Sequence, residues 1–285
     1  PYTTLFRSVW RFCRLTIYLS EEIMNYKMMG KFIAQILFVE AAFMLPALLI
    51  SVLERNIPGI WGFALSIVIT AAVASVLYVL CRHAVRRFYA REGLVCVGMS
   101  WIFMSLLGCL PFFMSGEIPN FLDALFEIVS GFTTTGASVL SNVEGLSKGI
   151  LYWRSFSHWL GGMGVLVFLL AVGERGDKGS GFTLHLLRAE SPGPTVGKLV
   201  PKMRTTARIL YMMYILLTIL NIIFLLFGGM SLFEAVCTAM GTAGTGGFGI
   251  KNDSIAGYSP YIQNVCTVFM LLFGVNFGCY YLLMI

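Results

Sequence analysis

The sequence has 285 residues, 58% of them hydrophobic and 12% charged, with 20 Lys and Arg against 14 Asp and Glu. A soluble domain carries about 45–50% apolar and about 25% charged residues, so this composition excludes a soluble enzyme or a nucleic-acid binder. The net charge of +6 is therefore read along a membrane normal rather than as a patch for an acidic partner.

Residues 1–23, PYTTLFRSVWRFCRLTIYLSEEI, contain basic residues but no uninterrupted apolar core and no small-residue cleavage site of the signal-peptide kind. They are expected to be a non-native leader ahead of Met24. A bilayer crossing takes about 20 predominantly apolar residues, and five stretches meet that requirement: 31–53, 57–80, 93–114, 152–172 and 207–227. A sixth, 261–285, is apolar to the last residue, and the chain is expected to be a fragment cut within it. Two shorter apolar pieces, 121–132 and 232–240, follow the turn signals Pro119-Asn120 and Gly228-Gly229. Segments of about 10–14 residues do not span, so both are predicted to be re-entrant. The fold class that follows is an all-α polytopic membrane protein. Its predicted parts are the leader (1–23), a transmembrane helix pair (24–92), a helix–pore loop–helix repeat with a cytoplasmic loop (93–206), and a second such repeat (207–285).

Charge fixes the expected orientation. With the N-terminus cytoplasmic and sides alternating, sixteen basic residues fall inside, and only Arg55, Lys148, Arg154 and Lys251 fall outside. Thirteen remain inside when residues before Met24 are left out, which is still a clear positive-inside asymmetry. The same topology sets Glu54, Glu117, Asp123, Glu127, Glu144, Glu234 and Asp253 on the outer side or at the pore mouth, a face that attracts cations. The seven cysteines are scattered without a C-x-x-C pair, which argues against a disulfide framework or a zinc site.

An internal repeat carries the functional signal. The first short helix and its loop read FLDALFEIVSGFTTTGAS from Phe121 to Ser138, and the second read LFEAVCTAMGTAGTGGFG from Leu232 to Gly249. Each has an acid followed by Ala (Asp123-Ala124, Glu234-Ala235) and then a Thr-Gly pair (Thr135-Gly136, Thr245-Gly246), at acid-to-glycine offsets of 13 and 12. Irregular backbone at bilayer depth survives only where it is buried in protein or lines a watery path. A Thr- and Gly-rich loop after a half-helix offers closely spaced carbonyl and hydroxyl oxygens, and its glycines reach φ > 0, so neighbouring carbonyls can point the same way. Such oxygens replace the hydration shell of a monovalent cation and offset a desolvation cost on the order of tens of kcal/mol. No paired carboxylates, His cluster or Ser/His/Asp set accompanies the loops, so the chain is read as a non-enzyme.

These motifs, T133-T-T-G-A-S138, W159-L-G-G-M-G164, E190-S-P-G-P194 with K198-L-V-P-K202, and T245-G-G-F248 with G274-V-N-F277, together resemble the Trk/Ktr/HKT potassium-transporter family, most nearly its bacterial Trk-type membrane subunits. The resemblance covers roughly residues 24–285. It implies four helix–pore loop–helix repeats around one potassium path, two of them in this chain, preceded by an extra helix pair. It implies ion binding at Thr134, Thr135 and Gly136 in the first filter strand and at Gly244, Thr245 and Gly246 in the second. Potassium is then the transported substrate, with no bound cofactor and no transition metal. The implied setting is the bacterial inner membrane, as a homodimer that meets a cytoplasmic nucleotide-binding regulatory subunit. Gly136, rather than the serine of some plant sodium-preferring members, favours potassium by analogy. The alternatives are a sodium-conducting relative and a non-transporting membrane scaffold.

Other residues carry two readings each. Glu40 lies within the first span, as a functional acid or as the partner of another polar group. Arg154 and His158, a turn apart, either snorkel to the interface or pair with a pore-helix acid such as Glu127. Asp123, Glu127 and Glu234 could gather cations at the mouth, or, for Asp123 and Glu234, complement a helix dipole. His83 and His185 fall in cytoplasmic loops and are expected to be solvated. The glycines of 159–164 and 274–278 are expected to allow close helix packing. The loop 173–206 is a connector or a surface for the regulatory subunit.

Overall fold

The computed structural model describes residues 25–83, 90–164, 203–277 and 279–280. Among them there is no strand, and ten helices account for most of the chain. The leader at 1–23, His185 and nearly all of the loop 173–206 lie outside the described residues.

The first crossing is a joined pair, α1 (Tyr26–Phe43) and α2 (Leu45–Leu53). Pro46 in the first turn of α2 removes a donor from the ladder, which places the joint at Met44. The next helix, α3 (Ile57–Leu80), has the predicted bounds; Asn56 caps it by accepting from the Gly59 N–H at 3.2 Å. Its inward stripe is small and polar (Gly59, Gly62, Ser66, Thr70, Ala74) around Phe63, so it packs closely on α1. Trp61, Val68, Val76 and Val79 face outward, as on a lipid-facing surface.

The predicted span 93–114 is divided into α4 (Ala90–Gly108) and α5 (Leu110–Met114). Pro111 has no N–H, and Phe112 donates to Cys109 instead of continuing the α ladder. The released Gly108 carbonyl accepts from Trp153 Nε1 at 2.8 Å. Then follow α6 (Phe121–Phe132), α7 (Lys148–Met163), α8 (Met203–Phe227), α9 (Leu232–Ala243) and α10 (Pro260–Gly274).

The short helix α6 coincides with its predicted bounds, and α9 runs three residues past the predicted end. The span expected at 152–172 differs more: α7 starts at Lys148 and ends where Gly164 turns to φ 76°, and 165–172 lies outside the described residues. The last apolar stretch is interrupted: α10 stops at Gly274, Val275 is extended, helical backbone resumes at Phe277, and 281–285 lie outside the described residues.

Among the described residues, four helical stretches are long and apolar enough to cross a membrane: Tyr26–Leu53, Ile57–Leu80, Glu92–Met114 and Arg208–Phe227. The chain is thus an all-α polytopic membrane protein. One core gathers Phe32, Ile36, Leu37, Phe63, Phe112, Ile128 and Trp153, and a second gathers Tyr214, Leu225, Phe269 and Phe273. Trp159 and Met163 of α7 touch both. That helix packs on α6 and on α9, so it forms a wall shared by the two repeats.

Candidate functional site

Each short helix is started by a side-chain cap. Asn120 accepts from the Leu122 N–H at 3.0 Å, and Ser231 forms a reciprocal capping box with Glu234. Asp123 and Glu234 sit in the first turns, where a carboxylate complements the positive helix end. For Glu234 the capping bonds account for the acid directly.

Beyond their last turns the two loops follow the same path. Counted from the caps, Thr133 matches Gly244, Thr134 matches Thr245 and Gly136 matches Gly247. The backbone agrees at these three pairs. Thr133 and Gly244 close the helices, and Thr134 and Thr245 turn to φ 54° and 59°. Their N–H groups donate to the Gly131 and Thr242 carbonyls at 2.9 Å in both cases. Gly136 and Gly247 reach φ 73° and 70°, and their N–H groups donate to Ser130 and Gly241. The matching strands are therefore 134–136 and 245–247, with an acid-to-glycine offset of 13 in both. The expected residues Gly244, Thr245 and Gly246 thus begin one position ahead of the stretch whose backbone matches Thr134–Gly136. Left-handed backbone at two positions in each loop redirects their carbonyls, and φ near +70° is a conformation a β-carbon resists.

The loops meet. A β-carbon on Gly136 would collide with the Gly246 carbonyl, and one on Gly246 would lie 2.5 Å from the Thr134 carbonyl oxygen. The wall helix α7 holds them from behind. Arg154, 2% exposed, donates from Nε to Glu127 Oε2 of α6 at 2.8 Å and from a terminal nitrogen to the Gly249 carbonyl at 2.6 Å. Its guanidinium lies 3.4 Å from the ring centroid of Phe248. The other oxygen of Glu127 accepts from the Ser138 hydroxyl and the Val139 N–H, both at 2.7 Å. One turn on, His158 is fully buried, stacks near Phe248, and accepts at Nε2 from the Gly246 N–H at 3.2 Å.

Arg154 therefore takes the pairing alternative rather than snorkelling. Glu127 is fully buried and committed to these bonds, so it does not act as a solvent-facing acid at the mouth. The role of His158 toward the second loop was not read from sequence, since the two are joined only by the fold. Gly161 and Gly162 of α7 do allow close packing: a β-carbon on the first would strike the Phe132 carbonyl, and one on the second would lie 3.0 Å from the Gly244 Cα. At Gly274 no described residue lies within 4 Å of an added β-carbon, and Gly278 lies outside the described residues. Glu40 is buried beside Gly108, Phe132 and Ile128, and its oxygens have no hydrogen-bond partner among the described residues. His83 is exposed and accepts from Arg82.

The helix ends near Glu54, Glu117 and Lys148 are tied by a polar layer. Lys148 pairs with Glu54 at 3.1 Å, and Glu117 accepts from Ser147 and Asn56. Across the repeats, Asn252 accepts from the Val143 N–H at 2.7 Å, and its own N–H donates to Glu144 at 3.0 Å.

Residues 61–285 match the family model described as TrkH, cation transport protein. The chain is 32% identical over 262 residues to the Trk system potassium uptake protein TrkH of Halomonas elongata, covering 90% of this chain and 53% of that protein. It is 32% identical over 265 residues to the TrkH protein of Escherichia coli K12, covering 92% and 54%, and 33% identical over 246 residues to the TrkG protein of the same strain, covering 84% and 49%. The crystal structure of the potassium transporter TrkH from Vibrio parahaemolyticus superposes with a TM-score of 0.76 at 27% identity, over 90% of this chain and 52% of that one. The chain spans about half the length of the curated relatives it matches.

Proposed function

We infer that this chain, which belongs to the TrkH family of cation transport proteins, contributes two filter strands to a potassium path across the bacterial inner membrane. The observation that carries this reading is the pair of geometrically matched loops, 134–136 and 245–247, each set on a capped short helix and touching the other. Backbone carbonyls from such loops substitute for the water around a dehydrated cation. Thr134, Thr135, Gly136, Thr245, Gly246 and Gly247 are the proposed ion-facing residues, with Gly244 as the helix cap before the second strand. Potassium is substrate here, not a resident cofactor. With four loops around one path, as the resemblance implies, these two supply half of its wall. The domain bounds are retained as part of this reading: a helix pair up to residue 92, one repeat over 93–206 and another from 207.

By the distribution of Lys and Arg the N-terminal side is cytoplasmic. The resemblance adds a homodimer and a cytoplasmic nucleotide-binding regulatory subunit. The test is the full-length gene expressed in a bacterium that lacks potassium uptake. It should restore growth at low potassium, and Gly136→Ser should lower the potassium-to-sodium permeability ratio. Failure to restore growth, or an unaltered ratio in Gly136→Ser, would remove the assignment.

A further inference from the structure

The two loops are alike in backbone but are held by different means. In the first, the Ser130 carbonyl accepts from both the Thr135 and the Gly136 N–H groups, at 3.0 and 3.4 Å. The Ser130 hydroxyl also closes the loop onto the Ala137 carbonyl at 2.6 Å. These bonds lie within one repeat. In the second loop the residue matching Ser130 is Gly241, which has no hydroxyl, and its carbonyl accepts from Gly247 at 3.1 Å. The N–H matching that of Thr135 belongs to Gly246, and it leaves its own short helix to donate to His158 Nε2, across the repeat boundary, at 3.2 Å.

This bond has a directional consequence. A trans peptide points its N–H and C=O in opposite directions. With the Gly246 N–H drawn toward α7, the carbonyl of Thr245 in the same peptide unit points away from α7. As the acceptor, Nε2 is unprotonated and the ring is the Nδ1–H tautomer, a state assigned from the bond it receives. The contact is also close: a β-carbon on Gly246 would lie 2.6 Å from Nε2.

We propose that His158 is a positioning residue for the second loop: from the first repeat's helix it fixes the Thr245–Gly246 peptide and thereby the direction of the Thr245 carbonyl. The proposal rests on the reading of these loops as a potassium path. It goes further by naming a side chain remote from the ion that sets selectivity in one strand and not in the other.

The experiment uses the full-length gene product and the potassium-to-sodium permeability ratio. Glycolic acid placed at position 246 by nonsense suppression turns the N–H into an ester oxygen and changes no side chain. That variant and His158→Leu should each lower the ratio by about fivefold, the effect expected from one lost hydrogen bond. Combined, they should lower it no further than either alone, within about twofold. His158→Gln keeps an acceptor and should retain the wild-type ratio. If His158→Leu does not fold, the ester carries the test by itself. A wild-type ratio in the ester, or multiplicative loss in the combination, overturns the proposal. Gly136→Ser separates the two ideas. If it moves the ratio and the ester does not, the conduction reading stands and the role of His158 falls. If neither moves it, the conduction reading falls and takes this role with it.

Discussion

At Arg154 a full charge is carried into a site that is 2% exposed, and it is tolerated because each direction it faces offers a complementary group. Glu127 neutralises it, the Gly249 carbonyl accepts from it, and the Phe248 ring lies against its plane. Removing one partner of a buried pair strands the other, at a cost of about 3–5 kcal/mol. Arg154→Leu should therefore lose about that much stability in thermal denaturation of the detergent-solubilised protein, and the double variant Arg154→Leu with Glu127→Leu should recover part of it. Equal losses in both variants would mean that the pair itself is not the source. Gly247, at φ 70°, should lose about 1–2 kcal/mol on substitution by Ala and less by Asn, which tolerates the left-handed region; the same melts read it. The pairing of Arg154 with Glu127 was legible from a base near a span end and an acid on a neighbouring short helix. The backbone match of Gly136 with Gly247 was not. A Thr-Gly dipeptide is a salient pattern, but the backbone is registered by the helix caps at Asn120 and Ser231, which fix how many residues precede each turn.

The helices were read well where local chemistry decides their ends. Asn120, Pro119 and the amphipathic run after them bound α6, and Asn56 and Pro58 start α3, so both sets of bounds follow from the residues themselves. Boundaries set by tertiary partners were less visible. Ser147 is a weak local signal for the start of α7, since its side chain makes no capping bond; at Lys148 the chain is held by Glu54 through both the Lys148 backbone and its side chain. Apolar continuity likewise hid the break at Cys109, although Pro111 marks it in hindsight. The caps yield a direct prediction at this scale. Asn120→Ala and Ser231→Ala should each cost about 1 kcal/mol. Because the caps serve separate helices, the double variant should lose the sum to within about 0.5 kcal/mol. A markedly larger loss in the double variant would show that the two short helices unfold as one unit.

Across the molecule, the distribution of Lys and Arg predicts opposite faces for the two ends of the helices. In a cysteine-free background, Lys148→Cys and Lys251→Cys should react with a membrane-impermeant maleimide on intact cells, and Arg82→Cys only after permeabilisation. The reverse pattern would invert the topology. The 285-residue chain reconstituted alone as a monomer should carry no selective potassium flux, since two strands cannot enclose an ion, and a potassium-selective flux from verified monomers would contradict this. The wall helix α7 makes the two repeats unequal partners. Counted from their caps Ser147 and Ser259, the positions in α10 that match Arg154 and His158 are Cys266 and Met270, neither able to repeat those bonds. Because synthesis runs from the N-terminus, the surface that shapes the second loop is made before the loop itself, so the first repeat serves as a mould against which its younger copy is cast.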